Sequence, residues 1–245
     1  MVIDERVGEP ERRSFTARLD CHYLLYQPPV LNENTLLVVA LHGYGSNPDA
    51  MLRLTSTWFP DDVIASVQGP SQFFVSPNLS HGETGYSWAA RDHAGASIRL
   101  HHEMLLHVLH EAGQRFGIPA QRRLLVGFSQ PVGLNYRFVA THLDEVRGVI
   151  GVCGGVPKDW EMGPFGKVSA ALLHISRSAD EFYAPAVSER FEEKLKLRTE
   201  DVEFHMLEGR HRFPSKGKPI VDQWRKRVFT GAPSSAGTQA AESRP

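Results

Sequence analysis

Leu124-Leu125-Val126-Gly127-Phe128-Ser129-Gln130 is the stretch whose reading decides the fold. An apolar run of strand character ends in Gly-x-Ser, and a helix-like segment over 130–143 follows at once. Strand, sharp turn, Ser, helix is the geometry that lifts a serine hydroxyl clear of a sheet edge, where it can attack a carbonyl. A serine hydroxyl is a weak nucleophile until a neighbouring base takes its proton. The rest of the chain therefore has to supply a base, a group to orient it, and donors for the charge that develops.

Outward from that stretch, strands and helices alternate. Leu36 to Leu41 and Val63 to Gln68 are short and almost wholly apolar, the pattern of central parallel strands covered on both faces. Gly148 to Cys153, Ala170 to Ser176 and Asp201 to Leu207 read as further strands. Before them, Phe15 to Leu25 alternates apolar and polar residues, as a half-exposed antiparallel edge strand would. Ile98, His101, Met104, Leu105, Val108, Leu109 and Ala112 make one helical stripe, with His102, Glu103, His110 and Glu111 away from its centre. A helix with Val187, Phe191 and Leu195 at helical spacing starts at Pro185, and Pro219 opens a last one carrying Ile220, Trp224 and Val228. The alternation predicts an α/β fold: a mostly parallel sheet of about seven strands with helices on both faces and no large lid domain. We expect a loose arm over 1–14, one domain over 15–229 and a disordered tail over 230–245.

Composition narrows the function. Lys+Arg 27 against Asp+Glu 28 leaves a formal net charge of −1, with no basic block to suit nucleic acid or an anionic membrane. No run approaches the length of a membrane span and the first residues lack the apolar core of a signal peptide, so a cytoplasmic protein is expected. Cys21, inside an expected strand, and Cys153, at the end of another, have no metal or redox spacing and read as buried free thiols. His101, His102, His107 and His110 do not form His-Glu-x-x-His and diverge around the helix, which argues against a metal site. Arg122-Arg123 and Arg225-Lys226-Arg227 read as solvated charge.

In open α/β sheets, ligands sit beyond the carboxyl ends of the strands, so partners for Ser129 should come from loops just after strands. Asp180 follows the strand ending at Ser176, and His211 follows the last strand. The order Ser129, Asp180, His211 is that of nucleophile, acid and base in α/β-hydrolases. Backbone N–H groups are the usual oxyanion donors. Gln130, at the helix start, offers one, and Tyr44, in the turn His42-Gly43-Tyr44-Gly45 after Leu41, offers the other. Gly69 to Ala94 is long and turn-rich, with Pro70, Pro77, Gly82 and Gly85, and is expected to be a flap shaping an open site. Its aromatic residues Phe73, Phe74, Tyr86 and Trp88 would line an acyl pocket or pack the flap onto the domain; Phe73, Tyr86 and Trp88 are the substrate-binding candidates.

His42-Gly43-Tyr44-Gly45, Gly127-Phe128-Ser129-Gln130, Asp180 and Glu208-Gly209-Arg210-His211 together resemble the phospholipase/carboxylesterase family of α/β-hydrolases, over about residues 16–229. The resemblance implies hydrolysis of small carboxylic esters or thioesters with short to medium acyl chains, without a cofactor. It also implies a catalytic triad of Ser129, Asp180 and His211, with Tyr44 and Gln130 at the oxyanion positions. Two departures stand out. Pro131 replaces the glycine usual two residues after the nucleophile, and proline restricts the backbone of the residue before it. Ser176-Arg177-Ser178-Ala179 replaces a glycine-containing run before Asp180, which leaves Glu181 as the alternative acid. Pro131 also motivates an alternative of another class, a non-catalytic α/β-hydrolase-like module that binds a small molecule without turnover.

Overall fold

The structure, a computed structural model, describes residues 10–76, 82–89 and 92–230. Most of the expected arm (1–9), nearly all of the expected tail (231–245) and Pro77 of the expected flap lie outside the described residues. In chain order the elements are β1 (Tyr23–Tyr26), β2 (Leu37–Leu41), α1 (Pro48–Ser56), β3 (Val63–Val67), β4 (Ser71–Phe74), β5 (Thr84–Ser87), α2 (Ala94–Phe116), β6 (Arg123–Phe128) and α3 (Val132–Thr141). β7 (Gly148–Val152), β8 (Ala171–Arg177), α4 (Pro185–Ser188), α5 (Phe191–Lys196), β9 (Val202–Leu207) and α6 (Lys218–Thr230) complete them. Seven strands form one sheet in the order β1-β3-β2-β6-β7-β8-β9, every neighbouring pair parallel except β1 with β3.

The apolar runs become central strands because both of their faces are covered. Along β2, Leu37, Val39 and Leu41 pack with Leu105, Val108 and Leu109 of α2, while Val38 and Ala40 join Met51 of α1 and Val221, Trp224 and Val228 of α6 on the other face. Alternation by one residue along a strand thus splits its side chains between two cores. The register puts Leu41 level with both Val67 and Gly127, so β2, β3 and β6 end together and their following loops meet at one edge.

Several expectations need correction. The edge strand is Tyr23–Tyr26 rather than the whole of Phe15–Leu25; Phe15 is 93% and Leu19 54% exposed, because β3 pairs only with residues 23–26. Cys21 consequently lies outside the strand and is exposed, while Cys153 is buried as expected. The helix at Pro185 breaks into α4 and α5, with Val187 exposed. His102 is buried, since its ring packs edge-on against Phe138 of α3 and against His142. Arg225 is paired with the buried Asp62 (2.6 Å) instead of being freely solvated. The expected flap contains its own structure, the antiparallel hairpin β4–β5.

Burial keeps three histidines neutral. It pushes the pKa of His101 and of His174 down to about 3, and that of His102 to about 4 with help from the neighbouring His142 and Arg137. An unfolded histidine titrates near pH 6.5, so between there and about pH 3 the unfolded chain binds more protons than the folded one. Stability from these groups is complete above pH 6.5 and is lost as pH falls through that window, each group approaching a slope of about 1.4 kcal/mol per pH unit. Urea unfolding followed from pH 7.5 to 4.5 should show a steadily falling midpoint, and replacing His174 with Gln should flatten that dependence. A midpoint independent of pH would contradict this account.

Candidate active site

β6 enters the site as an apolar strand and leaves it at Ser129, whose φ is +63°. Left-handed backbone is strained for a residue with a Cβ, by roughly 1–3 kcal/mol, and persists only where its surroundings demand it. Here the Ser129 N–H donates to Val152 O at the end of β7 (2.8 Å), and the Ser129 carbonyl accepts from Val132 N–H (3.3 Å). Close approach of α3 completes the turn. A Cβ on Gly127 would stand 2.7 Å from Asn135 Nδ2, and one on Gly154 would overlap Val132 and stand 2.7 Å from Ser129 O. The strand–turn–helix expected from the sequence is thus present, with the helix starting at Val132 rather than Gln130.

Pro131 occupies the N-cap of α3 with φ −75° and ψ −10°, and its carbonyl accepts the first helical bond, from Asn135 N–H (2.8 Å). Those angles suit a proline ring, and its missing N–H lies where no intrahelical acceptor exists.

The structure brings Ser129, His211 and Asp180 into one hydrogen-bonded line. His211 Nε2 lies 2.9 Å from Ser129 Oγ, and His211 Nδ1 lies 2.8 Å from Asp180 Oδ2. Asp180 is only 4% exposed, and its other oxygen, Oδ1, accepts from the N–H groups of Phe182 (2.8 Å) and Tyr183 (2.9 Å). A carboxylate so placed is acceptor-only, so Nδ1 carries the imidazole proton and Nε2 is left to accept from the serine hydroxyl. The ring is walled in by Phe128, Phe182 and Tyr183, with centroids 5.2, 4.8 and 5.9 Å away. Glu181, the alternative acid, accepts instead from the His211 backbone N–H (3.0 Å) and pairs with Arg210 (3.1 Å). It steadies the loop and does not meet the imidazole.

Cys153 Sγ, Asp180 and His211 also have possible ligand atoms within 4.8 Å of one another. Burial, and secondarily the charge of Asp180, pushes the Cys153 thiol up to about 12. A thiol held neutral is a poor ligand. The Asp180 and His211 atoms already bond each other, so this donor set fits a hydrogen-bonded pair better than a metal ion.

Tyr44 and Gln130 flank the serine. Among the described residues neither backbone N–H has an acceptor, so both are available for an oxyanion. Gly43 allows the approach of the Tyr44 loop, since a Cβ there would lie 3.0 Å from the Phe128 ring and 3.3 Å from Ser129 Cβ.

Sequence reasoning assigned no role to His42 or to the Gln130 side chain, and both hold the site together. His42 is buried and kept neutral by burial; its Nδ1 meets Gly43 O (2.8 Å) and its Nε2 accepts from Gly69 N–H (3.0 Å). Gln130 Oε1 accepts from Trp88 N–H (2.9 Å), and its Nε2 donates to Ala89 O (2.8 Å). The hairpin is thereby tied to the serine turn. It is tied to the Tyr44 loop as well, through Gly45 N–H to Tyr86 O and Tyr86 N–H to Ser46 O, both 2.9 Å. A Cβ on Gly85 would stand 2.5 Å from Gly45 O, so only glycine permits this approach. Trp88 is buried, with Nε1 donating to His42 O (2.7 Å). Phe73 stacks on the exposed Tyr44 ring (4.9 Å), and Tyr86 is half-buried beside His42. A strand pattern carries no signal for such side-chain ties, because their partners lie about 40 residues away.

The sequence profile of the phospholipase/carboxylesterase family matches residues 30–222. Among solved structures the fold is similar to that of esterase PE8, at 22% identity and TM-score 0.68, covering 86% of this chain and 100% of that one. A carboxylesterase from Mesorhizobium loti is similar at 19% identity and TM-score 0.66, covering 85% and 96%. The Bacillus cereus carboxylesterase is similar at 15% identity and TM-score 0.64, covering 83% and 94%. No curated protein sequence matches. No helix among the described residues is long and apolar enough to cross a membrane.

Gln130→Ala strands the Trp88 N–H, at a cost of about 1–3 kcal/mol for a buried group left unpaired, and removes one of the two donors to the Ala89 carbonyl. Urea unfolding should report that loss, and limited proteolysis should cut faster between β4 and α2. Unchanged stability and cleavage would show that the side-chain clamp contributes nothing.

Proposed function

The chain belongs to the phospholipase/carboxylesterase family, and from that premise we propose that it hydrolyses carboxylic esters or thioesters of short to medium acyl chains through an acyl-enzyme on Ser129. The observation that carries this reading is the line Asp180–His211–Ser129, with the serine hydroxyl 2.9 Å from a ring nitrogen whose other nitrogen is held by a buried carboxylate.

In this reading Ser129 Oγ attacks the acyl carbon as His211 Nε2 takes its proton. Asp180 holds the tautomer and stabilises the imidazolium without itself taking the proton. The carbonyl oxygen becomes an oxyanion between the N–H groups of Tyr44 and Gln130, each such donor being worth about 100- to 1000-fold in rate. His211 then protonates the leaving alkoxide or thiolate, and a water activated by the same imidazole releases the acid. Phe73, stacked on Tyr44, and Tyr86 form the acyl side of the cleft, while the buried Trp88 braces them from behind through His42.

The alternative of a binding module without turnover rested on Pro131. Its backbone angles suit the helix start, and the Gln130 N–H beside it has no acceptor among the described residues, so that motive is weakened.

A fluorophosphonate should label the wild-type chain at Ser129. Ser129→Ala should lower turnover of 4-nitrophenyl butyrate about 10⁶-fold, and Asp180→Asn about 10⁴-fold through the wrong tautomer. Equal turnover by wild type and Ser129→Ala would sink the proposal. Pro131→Gly should lower stability by about 0.4–1 kcal/mol through the entropy of the unfolded chain and leave kcat/KM within a few-fold. A tenfold rise in kcat/KM would instead mean that Pro131 misaims the Gln130 donor.

A further inference from the structure

β8 ends at Arg177, which lies level with Leu207 at the end of β9. The Arg177 guanidinium packs over Gly209, where any Cβ would collide with it, and its Nε is buried without a hydrogen-bond acceptor. A buried N–H donor without an acceptor is uncommon and calls for an explanation. Arg177 forms one wall of a cavity of about 570 Å³ that Glu208, Arg212 and Lys216 also line. Among the described residues none of these three cations is in an ion pair.

Arg210, which directly precedes His211, is by contrast paired with Glu181 (3.1 Å). Three cations line the cavity with Glu208 as the single acid, an excess of two positive charges. Arranging like charges together costs electrostatic energy unless an anion joins them. Planar guanidinium groups present paired N–H donors that match phosphate and carboxylate oxygens, and Lys216 adds a mobile point charge. The volume exceeds what a lone phosphate fills and falls within the usual range for small organic ligands, roughly 300–1,000 Å³.

We propose that Arg177, Arg212 and Lys216 form a binding site for an oxyanion, a phosphate or carboxylate carried on a small organic molecule. The site adjoins the candidate catalytic loops on both sides. Arg212 follows His211 directly, and its carbonyl meets the Cys153 thiol (3.7 Å). Arg177 opens the turn to Asp180, accepting from Asp180 N–H (3.3 Å), while Ala179 N–H donates to Gly209 O (2.8 Å). The anion is either the charged part of the ester substrate or a separate ligand. The first case rests on the hydrolase reading above; binding itself does not.

Isothermal titration of the full chain with inorganic phosphate, at low ionic strength to limit screening of the exposed ends, decides the site. Wild type should bind phosphate saturably, and both Arg177→Gln and the double variant Arg212→Gln/Lys216→Gln should weaken binding at least tenfold. Arg177 also packs on Gly209, so if its variant fails to fold, the double variant, whose side chains are exposed, decides alone. No saturable binding by wild type, or equal affinity in the double variant, overturns the proposal. Kinetics then separate the sources. A tenfold fall in the kcat/KM ratio of 4-nitrophenyl hemisuccinate to 4-nitrophenyl butyrate in the double variant places the anion on the substrate. An unchanged ratio with phosphate binding lost assigns the site to a separate ligand. If wild type turns over neither ester, the hydrolase reading fails while the phosphate titration still stands.

Discussion

Everything at the site depends on Ser129 being held in left-handed backbone at the junction of β6 and α3. That conformation is unfavourable by itself, so the surroundings have to impose it. Val152 O fixes the serine N–H, and α3 sits so close to β6 and β7 that Gly127 and Gly154 have no room for a side chain. The two core clusters press strands and helices together on both sheet faces, and this packing is the source of the energy that holds the turn. Core stability and serine geometry are therefore one problem.

Around that turn, three segments distant in sequence are locked by neutral polar groups. The loop after β2, the hairpin and the serine turn share His42, Trp88 and Gln130 as their ties. Neutral donors and acceptors suit this place. A protonated His42 could not accept from Gly69 N–H, and burial holds it in the form that does. The result is a pair of backbone N–H groups, Tyr44 and Gln130, with no acceptor among the described residues and with positions set by side chains that do not themselves face the cleft.

The other half of the site comes from neighbouring strand ends. β8 and β9 pair in parallel, so the turn carrying Asp180 and the loop carrying His211 leave the sheet side by side. Asp180 is stripped of solvent, but both of its oxygens are satisfied by hydrogen bonds, as a buried polar group requires. Arg177 and Arg212 bracket the same pair of loops with positive charge, and among the described residues neither is in an ion pair.

The sequence by itself determined the parallel sheet and the place of each candidate along it. Apolar runs such as β2 can be buried only between two layers; Ser129 follows β6 directly, while Asp180 and His211 lie in the loops just after β8 and β9. It could not bound the first strand, because alternation over Phe15–Leu25 is a property of the segment, whereas pairing depends on how far β3 extends beside it. It misplaced His102 and Cys21 for a similar reason: what covers a residue is decided by a neighbour far along the chain. The sequence already favours Asp180 over Glu181; only the tertiary structure sets Glu181 against the His211 backbone N–H, turns Trp88 inward, and makes the Gln130 side chain a clamp. Those outcomes rest on distances of about 3 Å between residues dozens of positions apart, which no local pattern encodes.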